Sequence, residues 1–73
     1  MRAFRVGDQF KGNQVGRIVE VVWVDPEDHF RAVIADAKGE FDDETVFAAQ
    51  FLNHWTLIKE GPVPAPRPKR VIA

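Results

Sequence analysis

The sequence predicts an all-β domain of about five short strands, with one helical turn before the last. Three observations carry that prediction. Residues 16–24 (GRIVEVVWV) and 30–36 (FRAVIAD) are runs of similar length rich in the β-branched residues that strands favour. DPEDH joins them; Pro26 suits the first central position of a turn, and Asp25 before it can bond the backbone ahead. Gly39, in AKGE, suits the left-handed position that closes a hairpin loop, so a further strand should leave at Glu40.

The remaining elements follow in order. VGDQFKG (6–12) makes a first strand, FDDETVF (41–47) continues the strand that leaves at Glu40, and HWTLI (54–58) makes the last. Residues 43–53, DETVFAAQFLN, pose a fork. As a helix, Asp43 is its N-cap, Asn53 its end, and Phe47 and Phe51 share a face. As a strand, ETVF pairs with the hairpin and AAQFL makes one tight turn. The second reading is preferred: Thr45, Val46 and Phe47 favour strands, and the Gly39 turn feeds directly into them. Helix should then be confined to one or two turns close to 48–53.

This order resembles an SH3-like small barrel. The spacing VGDQF, GRIVEVVWVD, KGE, TVFAAQFLNHWTLI over Val6 to Ile58 is also similar to small uncharacterised proteins of actinobacteria and their phages. Those pair a GR-x-V-x-V strand with a late W-x-L-[IV] strand. The resemblance implies a small barrel and brings no activity with it.

The two central strands do not alternate cleanly. Val19, Val21 and Trp23 lie on one face of the first, and Ile18, Val22 and Val24, interrupted by Glu20, on the other. In the second, Phe30, Ala32 and Ile34 oppose Arg31, Val33 and Ala35. Either a bent strand feeds both halves of a barrel, or an apolar strip is exposed and pairs with another chain.

Seventy-three residues allow one domain, 1–60, followed by a proline-rich basic extension, 61–73. A chain of this size buries only about 60% of its unfolded surface, so its core is small. An apolar content of 45% is that of a folded chain. With no cysteine there are no disulfides, thiolate ligands or cysteine nucleophile. No run reaches signal-peptide or membrane-span length, which predicts a cytoplasmic protein.

The formal charge of −1 speaks against a general nucleic-acid binder. The charge is unevenly placed, however. Arg2, Arg5, Lys11 and Arg17 face only Asp8 in the first 19 residues; 25–44 hold eight acids and two bases; 61–73 hold Arg67, Lys69 and Arg70 with no acid. Solvated turns explain this, and so does a bipolar surface that steers a partner.

No catalytic pattern is present: no glycine-rich phosphate loop, no nucleophile elbow and no serine. His29 stands among Asp25, Glu27 and Asp28, but a hairpin turn is where solvated polar residues belong and the spacing fits no known cation loop. His54 reads as a half-buried polar cap. Asp42, Asp43 and Glu44 read as charges that keep a sheet edge soluble, since neighbours on a strand point to opposite faces. Trp23 and Trp55 are expected in the core rather than as stacking platforms. No enzyme activity, metal or cofactor is expected.

The prolines at 62, 64, 66 and 68 favour extended backbone but miss the PxxP spacing. The sequence therefore predicts a non-enzymatic interaction module. It would bind a protein or itself through Ile18, Val22, Trp23 and Val24 and through Arg67, Lys69 and Arg70. The alternative is nucleic-acid binding through Arg2, Arg5, Lys11, Arg17 and the tail.

Overall fold

The computed structural model describes residues 2–39 and 43–62. Five strands and one helical turn follow one another: β1 (Gln9–Gly12), β2 (Ile18–Asp25), β3 (Asp28–Asp36), β4 (Glu44–Phe47), α1 (Ala48–Phe51) and β5 (Trp55–Lys59). They form one antiparallel sheet in the order β4-β3-β2-β1-β5, so the last strand returns to pair with the first. The all-β class, the strand count and the position of the helical turn are those the sequence predicts.

The turn chemistry explains the β2–β3 hairpin. Asp25 Oδ1 accepts the N–H of Glu27 at 2.8 Å, and its Oδ2 accepts Arg31 Nη1 at 2.8 Å across the hairpin. Those bonds hold the Asp25 carboxyl below its ordinary range, the Glu27 N–H contributing most. At the other end of β3, Asp36 Oδ1 accepts the Lys38 N–H at 2.7 Å, and Gly39 takes φ +72°. That is the left-handed conformation a side chain would resist.

The fork at 43–53 resolves as strand plus turn. ETVF pairs with β3 through Val33–Thr45 and Ala32–Val46, and AAQF makes the single turn α1. The expected start of this strand at Glu40 lies outside the described residues, as do Phe41 and Asp42. The first strand is shorter than expected. Residues 6–8 lie before β1, with Gly7 at φ +92°, although Gly7 and Asp8 still bond Val21.

The irregular pattern of β2 has a local cause. The β2–β3 register slips between Val21 and Trp23. Val19 and Val21 face the core below the slip; above it Val24, paired with Ala32, is packed against the core instead. A bulge of this kind bends the strand and changes which parity points inward. Val22 and Trp23 are left outside, 41% and 43% exposed. Trp23 is thus not the core residue the sequence led one to expect, because the bulge turns it onto the outer face beside Val33.

The core is built around three rings. Phe4, Phe10 and Phe51 meet edge to face, with centroids 5.0–5.9 Å apart. Trp55 stacks on Phe51 at 5.3 Å and 6°, and Val19, Val21, Ala32, Ile34 and Ala48 complete the cluster. Phe4 precedes every strand. Its N–H donates to the His29 carbonyl at 2.9 Å, which lays the N-terminal segment along the start of β3.

Candidate interaction surfaces

Asp8 anchors the base of the domain. Its side chain has no exposed surface, yet its carboxylate meets four donors. Arg2 Nη1 and Nη2 approach at 2.8 and 3.1 Å, the Arg5 N–H at 2.9 Å and the Gly61 N–H at 2.6 Å. Burial pushes the carboxyl up, but Arg2 and the N–H groups of Gly61 and Arg5 outweigh it and hold it below the ordinary carboxylate range. The same bond raises Arg2. Gly61 must be glycine here: a Cβ would stand 2.3 Å from the Val6 carbonyl oxygen and 2.9 Å from the Asp8 nitrogen. One carboxylate therefore joins the N-terminal segment, the approach to β1 and the chain leaving β5.

This geometry sorts the four basic residues singled out as nucleic-acid contacts. Arg2 is committed to Asp8, with Glu60 3.8 Å from its Nε. Arg17 Nε lies 3.7 Å from Asp36 Oδ2. Arg5 is half-buried, and Lys11 is exposed on β1, opposite Ile18 and Thr56. The four do not form one cluster. Arg67, Lys69 and Arg70 lie outside the described residues.

The apolar candidates divide as well. Ile18 is half-buried and Val24 packs on the core, whereas Val22 and Trp23 are exposed. Trp23 sits opposite Val33, which sits opposite Thr45; Arg31 pairs with Phe47 two residues along. Side chains two apart on a strand share a face. Trp23, Val33 and Phe47 thus share the outer face of the sheet with Arg31 and Thr45, and Phe47 is 50% exposed. Phe47 was missed in the sequence because it was weighed only as evidence for helix or strand, and which face of β4 looks outward is set by its pairing with β3.

A second surface surrounds Trp55. Two hollows, of about 200 and 270 Å³, share His54 and Trp55. Glu44, Phe47 and Gln50 contribute to one, and the β1–β2 turn from Gly12 to Val15 to the other. Val15 folds back so closely that a Cβ on Gly12 would stand 2.6 Å from its Cγ2. The turn is tied down by Asn13, whose N–H donates to the His54 carbonyl at 2.9 Å and whose Oδ1 accepts the Thr56 hydroxyl. His54 is exposed, not the half-buried cap expected, because it lies in the turn before β5 starts at Trp55.

Among the described residues no group of three or more His, Asp or Glu side chains is placed to hold a metal ion, and no helix is long and apolar enough to cross a membrane. Comparison with family models, curated proteins and solved structures returns no match.

Proposed function

We propose that this chain is a non-enzymatic interaction module of SH3-like type. It would act in the cytoplasm of an actinobacterium or one of its phages and bind a protein partner, or itself, through the outer sheet face and the C-terminal arm. The observation that carries this reading is the bulge in β2. It turns Val22 and Trp23 out of a core too small to spare them and sets Trp23 on the same face as Phe47. Exposed aromatic residues gathered on one face are typical anchors of protein interfaces. The nucleic-acid alternative draws on Arg2 and Arg17, and each of these already has a carboxylate neighbour.

The test is capture of partners from the native cell by the full chain, with and without nuclease, beside Trp23→Ser. Protein capture that survives nuclease and is lost with Trp23→Ser is the expected result. Capture abolished by nuclease, with steep salt dependence, would instead establish the nucleic-acid reading.

A further inference from the structure

We propose that the C-terminal arm of one copy lays Arg67, Lys69 and Arg70 across the Trp55 hollows of a second copy, so that the chain binds itself. This rests on the interaction-module reading and names the partner and the surface.

The hollows suit a cation. Their shared wall is an indole, and Phe47 flanks one of them. Aromatic faces attract guanidinium and ammonium groups. Among the described residues, Glu44 is the only carboxylate lining either hollow, and no lysine or arginine lines them. In sequence, Glu44 ends an acidic run that includes Glu40, Asp42 and Asp43. The arm is the complement, with three bases and no acid from 61 to 73. Opposite charge at that density steers association and fixes its direction.

The topology assigns the arm to a second copy. The chain leaves the sheet at Pro62 beside Gly7, past the end of β5 where Lys59 pairs with Gln9. The hollows lie at the other end, where Trp55 pairs with Gly12. To reach its own hollows the arm would have to reverse within the run that holds Pro62, Pro64, Pro66 and Pro68. Each proline pushes the residue before it to extended backbone, which opposes a reversal. At about 3.1 Å per residue, about five residues of extended chain would reach about 16 Å from Pro62, far enough to meet a neighbour.

The experiment uses the full chain throughout. Sedimentation equilibrium at low salt is run on the wild type and on Arg67→Glu/Lys69→Glu/Arg70→Glu. The same is done for Asp43→Lys/Glu44→Lys and for all five changes together. Asp43 and Glu44 are exposed, so the fold should survive, and circular dichroism checks this. Expected are a mass that rises above 8.3 kDa with concentration, at least about a fivefold weakening in either reversed set, and recovery in the combination. The Trp55 indole N–H resonance should shift on dilution in the wild type and not in the reversed sets. A monomer at every concentration would overturn the proposal, as would association indifferent to both reversals. A Trp55 signal that responds to arm reversal but not to dilution would assign the hollows to the chain's own arm and also refute it. Association lost with Trp23→Ser but untouched by charge reversal would refute the arm contact and leave the outer-face reading intact.

Discussion

At the scale of single residues, the least replaceable group is Asp8. A buried carboxylate needs all of its donors, because each missing partner leaves a desolvated group behind. Asp8→Ala would strand the Arg2 guanidinium and the Gly61 N–H, at a cost of about 3–5 kcal/mol. A chain of this length has roughly 4–11 kcal/mol in total, so the urea midpoint should fall by about a quarter or more. The pH dependence follows from the same contacts. Asp8 titrates lower in the folded chain than in the unfolded one. Its stabilisation is therefore complete above the unfolded value of about 3.9 and is lost as pH falls through the folded value. Unfolding free energy should hold level from neutral pH to about 4 and then drop, with a shallower acid limb in Asp8→Asn. Gly61→Ala meets backbone atoms that cannot move aside and should lose about 1–3 kcal/mol by thermal melting.

Elements show how far each segment belongs to the domain. Gly61 is buried and bonded to Asp8, and a Cβ on Gly7 would lie 3.3 Å from Pro62 Cδ. Two deletions should therefore differ. Ending the chain after Pro62 should leave the melting temperature nearly unchanged, whereas ending it after Glu60 should lower it markedly by removing a donor from Asp8. Equal melting of the two would mean that Gly61 contributes nothing to the clasp. The β2 bulge gives a second comparison. Trp23→Ser removes an exposed ring and should change stability by less than about 1 kcal/mol. Val21→Ala, one position below the slip and fully buried, should cost about 1–3 kcal/mol because the cavity it leaves cannot fill with water.

The whole molecule depends on contacts distant in sequence. Phe4, Phe10 and Phe51 come from the N-terminal segment, β1 and α1, so the ring contacts of Phe51 join parts of the chain that are far apart in sequence. Phe10→Ala should cost about 3–5 kcal/mol, and the urea midpoint followed by circular dichroism should fall at least as far as in Asp8→Ala. Because the triangle spans the sheet, loss of one ring should unfold β1, α1 and β5 together, seen as simultaneous loss of amide protection.

The sequence by itself determined the all-β class, the two turn chemistries at Asp25 and Gly39, and the division of 43–53 into strand and single turn. Those depend on local preferences: β-branching, the Asx bond and a left-handed glycine act over a few residues. Only the tertiary structure decided which face of β2 is buried. The slip after Val21 depends on pairing with β3, and no count of alternation within one strand contains it. It also decided that Phe4 closes the core and that Asp8 joins both ends of the domain. Asp8 and Gly61 are 53 residues apart, and a lone aspartate in VGDQF carries no mark of the backbone that will reach it. Trp23 and Trp55 are the same residue type in similar apolar runs, and a one-residue shift in register sent one outward while the other stacked on Phe51.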